Sequence, residues 1–252
     1  MKTSRRTMIS DFIFDRDEER QRIDQFLVKR RPFLLFGPSG VGKTLLLRSV
    51  LSQFRSVLYC EDSSTTNVVF RSLAQSLLRL ESPRARKAFR DEAAIATKSA
   101  VSLKGIVMDA LREGEYSVML DHLKRPSYSF AAAAREIMSR AATVVSAVAR
   151  SSHMEDTGFL QPLYGDRSQK CAVRNFDDGT AERFAREMIK RRGLSGSNIA
   201  EFLNKVLEFS AGNPGAIITM IDMARYPKYR SEEHIKISPL YIDYRMQGGV
   251  AR

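Results

Sequence analysis

Residues 37–44 read Gly37-Pro38-Ser39-Gly40-Val41-Gly42-Lys43-Thr44, and they match the pattern G-x-x-x-x-G-K-[ST] at every fixed position. The glycines let the backbone wrap with its N–H groups turned inward, and the N-terminus of a following helix adds partial positive charge. Such a loop offers several preorganised donors to the oxygens of a triphosphate. In this arrangement Lys43 reaches the β- and γ-phosphates, and Thr44 places its hydroxyl on Mg²⁺.

The residues on either side of the motif support this interpretation. Phe33 to Phe36 form an apolar run that is typical of a strand covered on both faces. Leu46, Leu47 and Val50 then recur at helical spacing. A strand, a glycine-rich turn and a helix follow one another in the order that phosphate binding requires. The predicted nucleotide-binding positions are Gly37, Pro38, Ser39, Gly40, Val41, Gly42, Lys43, Thr44 and Leu45.

Helical and strand patterns alternate along the chain, which predicts an α/β fold with a five-stranded parallel sheet and flanking helices. The stretch from Asn67 to Glu113 is predicted to be helical. Besides Phe33 to Phe36, the predicted strands are Ser56 to Cys60, Tyr116 to Leu120, Thr143 to Ala149 and Lys170 to Val173.

Amphipathic helical patterns follow the last predicted strand and indicate a small all-helical lid. We therefore expect a nucleotide-binding base at residues 1–178, a lid at 179–225 and a tail at 226–252. Asn213 and Pro214 fit the N-cap and first position of a lid helix. Asp15 fits the N-cap of the first helix of the chain, with Glu18 three residues later as in a capping box.

A phosphate-binding loop needs a second residue near Mg²⁺, normally an Asp at the end of a neighbouring buried strand. Asp121 follows the predicted strand residues Ser117 to Leu120, which end in hydrophobic side chains, and fits this role. An Asp that merely caps the next turn is the alternative interpretation. Glu61 and Asp62, after the second predicted strand, are the rival acids.

Composition places the chain among globular proteins. Its 252 residues are 43% hydrophobic and 28% charged, and 41 Lys and Arg against 29 Asp and Glu give a net charge of +12. That charge favours an anionic partner without naming it.

Cys60 and Cys171 lie in short apolar runs and are predicted to be buried free thiols. We expect no export signal, no membrane insertion and a cytoplasmic location, since no apolar stretch approaches the roughly 18 residues of a spanning helix.

Basic residues are concentrated in three places: from Arg84 to Arg112, at Lys29 to Arg31 and at Lys190 to Arg192. Such patches can neutralise the phosphates of DNA. Solvated helix faces explain them equally well, and no motif for reading bases is present.

The order of these features resembles that of AAA+ and STAND P-loop ATPases, including relatives of origin-recognition proteins and of transposition and secretion helper ATPases. The resemblance covers about residues 10 to 225. It implies ATP and Mg²⁺ as cofactors, with residues 37–44 as the Walker A motif and Thr44 and Asp121 as metal residues. It also implies a sensor at Arg150 and a nucleotide contact at Pro214, within Gly212-Asn213-Pro214. The segment Phe12 to Phe14 would lie near adenine, and Arg167 would complete the site of a neighbouring subunit.

Two departures from that pattern bear on the reaction. His122 follows Asp121, where the family usually has an acid that orients water, and a neutral imidazole carries no charge to polarise water. Arg is also absent directly after Pro214, where many lids have a second sensor. The candidate catalytic residues are Lys43, Asp121, His122 and Arg150.

These features predict an ATP-binding, slowly hydrolysing ATPase that acts as a nucleotide-dependent switch and assembles with DNA, with a protein partner or with its own copies. A nucleotide-binding scaffold that never hydrolyses is the alternative. A small-molecule kinase is disfavoured, because three lid helices follow the fifth strand and no substrate-binding insertion is evident.

Overall fold

The structure is a computed structural model that describes residues 13–248. The described residues form two compact units. The first contains Arg16–Gly37 and Lys43–Ala172, and the second contains residues 13–15, Pro38–Gly42 and residues 173–248. Phe12, which the resemblance places near adenine, lies outside the described residues.

The first unit is built on the five-stranded parallel sheet that the sequence predicts. The strands lie in the order β2-β3-β4-β1-β5, and every neighbouring pair is parallel. Because all the strands are parallel, the loop after β1 leaves the same edge of the sheet as the other carboxyl ends, where ligands of open α/β sheets bind. The strands are β1 (Leu34–Phe36), β2 (Val57–Cys60), β3 (Ser117–Leu120), β4 (Val144–Ala149) and β5 (Lys170–Ala172).

Burial on both faces explains why these runs are mostly apolar. Leu34 and Leu35 of β1 are buried, as is every residue of β3 except Ser117. In β4, Val145 to Ala149 are all buried. Continuous apolar runs of this kind are expected where helices cover both faces of a parallel sheet.

Helices connect the strands of the first unit. The stretch predicted to be helical from Asn67 to Glu113 contains four helices, and the Thr65, Asp91 and Ser99 side chains cap three of them. The helices are α1 (Asp17–Val28), α2 (Lys43–Leu51), α3 (Thr66–Arg79), α4 (Pro83–Ala88), α5 (Glu92–Ala96), α6 (Ala100–Glu113), α7 (Tyr128–Arg140) and α8 (Met154–Thr157).

The predicted capping role of Asp15 is wrong. Helix α1 begins at Asp17, and its N-cap, Arg16, makes no side-chain capping bond. Asp15 has a left-handed backbone (φ 53°), and its carboxylate accepts hydrogen bonds from Thr180 and Arg183 at 2.9 Å each. The Asp15 carboxylate therefore bonds to residues that are distant in the sequence, and not to the backbone of α1 as the capping pattern predicts.

The second unit contains the predicted lid helices and part of the tail. Its helices are α9 (Asp178–Arg191), α10 (Ile199–Ser210), α11 (Pro214–Met223) and α12 (Ile237–Met246), and the antiparallel strands β6 (Arg230–Ser231) and β7 (His234–Ile235) lie between the last two. Asn213 caps α11 through a bond from the Ala216 N–H, and Pro214 is the first helical residue, as predicted.

Cys60 and Cys171 are free and buried, as predicted. Burial raises the pKa of the Cys60 thiol to about 12 and that of Cys171 to about 11, so both thiols stay protonated at neutral pH. Among residues 13–248, no helix combines the length and the apolar character needed to cross a membrane.

Candidate nucleotide-binding site

Lys43 is the first residue of α2 and is partly buried. Its ammonium donates a hydrogen bond to the carbonyl of Gly37 at 2.7 Å. Burial lowers the pKa of Lys43 to about 8, while the negative charges of Asp121 and Asp156 oppose that shift. The amine is therefore still mostly protonated at pH 7. It offers a positive charge at the end of the predicted phosphate-binding loop, residues 37–44, which is called the phosphate loop below.

Asp121 lies at the carboxyl end of β3 with no exposed surface. Its Oδ2 accepts hydrogen bonds from the Thr44 hydroxyl at 3.0 Å and from the Tyr59 hydroxyl at 2.6 Å. Its Oδ1 accepts from the backbone N–H of His122 at 2.7 Å. The fold thus brings together the two residues that the sequence predicts for metal binding, although 77 positions separate them.

These side chains fit a magnesium ion. Mg²⁺ prefers oxygen ligands and in nucleotide sites is held by one or two carboxylates, a hydroxyl, waters and phosphate oxygens. Thr44 and Asp121 supply the hydroxyl and the carboxylate in direct contact. The rival acids have other partners: Glu61 pairs with Arg48 at 2.6 Å, and Asp62 accepts the Ser64 N–H at 2.8 Å.

His122 differs from its buried neighbour. Its backbone is left-handed (φ 55°), its side chain is 57% exposed, and its Nε2 lies 3.8 Å from Oδ2 of Asp121. That distance is too long for a hydrogen bond. The ring is therefore placed to contact solvent or an incoming ligand rather than to hold Asp121.

Arg150 follows β4 directly and is 68% exposed. Its Nε lies 3.5 Å from Oδ1 of Asp156, whose own side chain is only 15% exposed. The charge of Asp156 also acts on Lys43. Sequence reasoning missed Asp156, because nothing in the pattern around α8 marks it as part of a site.

In the second unit, the tip of the phosphate loop packs against the start of α11. Gly40 and Gly42 have positive φ angles of 78° and 96°, as the glycine pattern requires. The Gly215 N–H donates to the Gly40 carbonyl at 2.9 Å, and the Asn213 amide donates to the Ser39 carbonyl at 2.9 Å. Asn213 itself is completely buried.

The other predicted positions differ in their exposure. Val41 and Pro214 are buried, and Leu45 is 40% exposed. Phe14 packs against Phe176 and Phe184, with ring centroids 6.2 and 5.5 Å apart, so it belongs to an aromatic cluster of the second unit.

Arg167, the candidate for completing a neighbouring site, is exposed at the start of a short 3₁₀ helix in the first unit.

Tyr59 is the main site residue that sequence reasoning missed. It lies on β2, and its contact with Asp121 depends on the pairing of β2 with β3, in which Cys60 is opposite Leu120. No local pattern around Tyr59 carries that information.

Comparison with known proteins gives the fold. No family model matches the chain, and no curated protein matches it by sequence. The Walker-type ATPase of Pyrococcus abyssi superposes with a TM-score of 0.64 at 19% identity, over 95% of this chain and 75% of that one. The chain has the fold of AAA+ P-loop ATPases.

Two further structures share the AAA+ fold. The ORC1 protein of Aeropyrum pernix, solved in complex with DNA, has a TM-score of 0.63 at 14% identity, over 95% of this chain and 66% of that one. A RuvB variant of Thermotoga maritima has a TM-score of 0.54 at 11% identity, over 96% of this chain and 75% of that one. At these identities the likeness establishes the AAA+ fold alone.

Proposed function

We propose that the chain binds ATP with Mg²⁺, hydrolyses it slowly and acts as a nucleotide-dependent switch. The observation that carries this proposal is the buried Asp121 carboxylate, which is bonded to the Thr44 hydroxyl directly beside the phosphate loop. A carboxylate that is shielded from water and aimed at this hydroxyl suits a magnesium-nucleotide complex.

Each residue has a defined part in this proposal. The backbone N–H groups of residues 37–45, except Pro38, which has none, bind phosphate oxygens, and Lys43 adds a positive charge at the β- and γ-phosphates. Thr44 and Asp121 would hold the magnesium ion, which when bound neutralises charge on those phosphates. Arg150 is the proposed sensor, and Pro214 is a proposed nucleotide contact. Residues 1–178, 179–225 and 226–252 are the proposed base, lid and tail.

Slow hydrolysis is proposed because position 122 has no carboxylate. A neutral imidazole can accept a proton but carries no charge to polarise the attacking water, and general-base assistance is typically worth about 10²- to 10⁴-fold in rate. A scaffold that binds ATP and never hydrolyses it is the second candidate, supported by the same residue. Phosphate release from purified protein over time distinguishes the two.

DNA is one proposed partner, and a protein partner or further copies of the chain are the others. A relative with the same fold was solved in complex with DNA. Part of the basic stretch from Arg84 to Arg112 is already neutralised, because Arg84, Arg86, Lys104 and Arg112 pair with acids of the first unit. If DNA binds there, the phosphate contacts should come from other cations of the stretch.

The test of nucleotide binding is Lys43→Ala. We expect this variant to lose nearly all binding of a fluorescent ATP analogue, because it removes the positive charge that faces the phosphates. Circular dichroism melting checks that the fold is retained. The matched control is Lys205→Ala, which removes a surface lysine paired with Glu208. Unchanged affinity in a folded Lys43→Ala variant would refute the proposed site.

A further inference from the structure

Tyr59 makes the shortest of the side-chain bonds to the candidate metal residue. Its hydroxyl donates to Oδ2 of Asp121 at 2.6 Å, and the same oxygen accepts from Thr44 at 3.0 Å. Both carboxylate oxygens are thereby occupied, since the His122 N–H bonds to Oδ1. Three donors from three segments fix the plane of one buried carboxylate.

The neighbours of Tyr59 keep its ring in place. The guanidinium of Arg48 lies over the ring, 5.6 Å from the centroid, and bonds to Glu61 at 2.6 Å. The phenolic O–H of Tyr59 donates to the carboxylate, so neighbouring groups hold both the ring and the hydroxyl.

From this geometry we infer that Tyr59 is a positioning residue for a magnesium site at Asp121 and Thr44, an inference that rests on the proposed function. Hydrogen bonds from outside the metal shell orient a ligating carboxylate, and their loss typically costs about 10- to 100-fold in metal affinity. Tyr59 is suited to this role because its bond keeps Oδ2 directed at the Thr44 hydroxyl.

The sharpest test is Tyr59→Phe, which removes one oxygen and keeps the ring. The measurement is binding of a fluorescent ATP analogue to the full chain, first without divalent metal and then in a Mg²⁺ titration. We expect metal-free affinity within about twofold of wild type, and half-saturating Mg²⁺ raised by about 10- to 100-fold.

Tyr164→Phe is the matched control. The Tyr164 hydroxyl is buried in the same unit but donates to the Val145 carbonyl at 3.1 Å, away from Asp121. Both variants lose a hydrogen bond and some stability, yet only Tyr59→Phe should shift the Mg²⁺ midpoint. A thermal melt of each variant measures its stability, so a loss of stability can be distinguished from a loss of metal binding.

The outcomes distinguish this inference from the proposed function. If wild type shows Mg²⁺-dependent binding and Tyr59→Phe gives the same midpoint, or if Tyr164→Phe shifts it equally, the role of Tyr59 is overturned while the proposed function stands. If wild type binds no nucleotide with or without Mg²⁺, the proposed function fails, and the inference fails with it.

Discussion

At the scale of single residues, His122 combines a left-handed backbone with an exposed ring beside the buried Asp121. Left-handed positions favour Gly, Asn, Asp and His, because other side chains crowd the backbone there. A replacement at this position therefore changes the backbone energy as well as the chemistry, and a control for the backbone is needed.

His122→Glu should accelerate hydrolysis. A carboxylate at position 122 can orient and deprotonate water, and even a tenth of the usual general-base effect would be about 10-fold or more. Single-turnover hydrolysis is the measurement, because product release can mask the chemical step. The backbone control is His122→Asn, since Asn tolerates the left-handed conformation and supplies no base.

Two results would contradict this picture of His122. A large loss of rate in both variants would mean that His122 is itself the working base. Equal rates in wild type and both variants would mean that residue 122 does not face the nucleotide. In either case the absence of a carboxylate at this position would not be what slows hydrolysis.

At the scale of elements, the start of α11 lies very close to the tip of the phosphate loop. Neither Gly215 nor Gly40 has room for a side chain there. A methyl group at Gly215 would lie 2.8 Å from both Cα and O of Gly40. Backbone atoms cannot yield as the end of a flexible side chain can. Any larger residue at Gly215 must therefore push the loop and the helix apart.

We expect Gly215→Ala to lower the free energy of unfolding by about 1 to 3 kcal/mol, the usual cost of overpacking, and to weaken nucleotide binding. The control is Gly105→Ala in α6, where a methyl group meets nothing within 4 Å. That change should stabilise the protein by about 0.5 to 1 kcal/mol and leave binding unchanged. Urea unfolding and nucleotide titration give both readouts. If Gly215→Ala matches wild type in both, the loop and helix do not pack this way in solution.

Strands and helices were predictable where local patterns determine them. β1 and β3 lie within the predicted runs because burial on both faces favours mostly apolar sequence. Asn213 caps its helix because the bond it makes is local. Contacts between distant segments, such as Tyr59 with Asp121 or Asp15 with Arg183, depend on strand order and packing, and local patterns do not carry them.

At the scale of the whole molecule, a net charge of +12 favours contacts with DNA phosphates, and the number of such contacts determines how binding responds to salt. Each phosphate contact releases counterions, so the slope of log affinity against log salt is about −0.9 per contact on duplex DNA. Binding of a random-sequence duplex should therefore weaken steeply between about 50 and 200 mM salt. Titrations at several salt concentrations measure the slope.

Lys87→Ser with Arg90→Ser tests the basic stretch, since both side chains are exposed in the first unit. The double variant should remove one or two phosphate contacts and so lower the magnitude of the slope by about 0.9 to 1.8. Arg186→Ser, at an exposed arginine of α9 paired with Glu182, is the control. If the double variant gives the same slope as wild type, DNA does not contact this basic stretch. If wild type binds no DNA even at low salt, the remaining proposed partners are a protein or further copies of the chain.

The position of β1 between β4 and β5 has a consequence for synthesis on the ribosome. β1 ends at Phe36, but its first neighbour in the sheet begins only at Val144. At a synthesis rate of about 5 to 20 residues per second, roughly 5 to 20 seconds pass between the synthesis of this apolar strand and that of its first partner strand. The loop tip waits longer still, until Asn213 and Gly215 emerge. A nascent chain stalled before residue 144 would thus display the complete G-x-x-x-x-G-K-[ST] motif and have no assembled site.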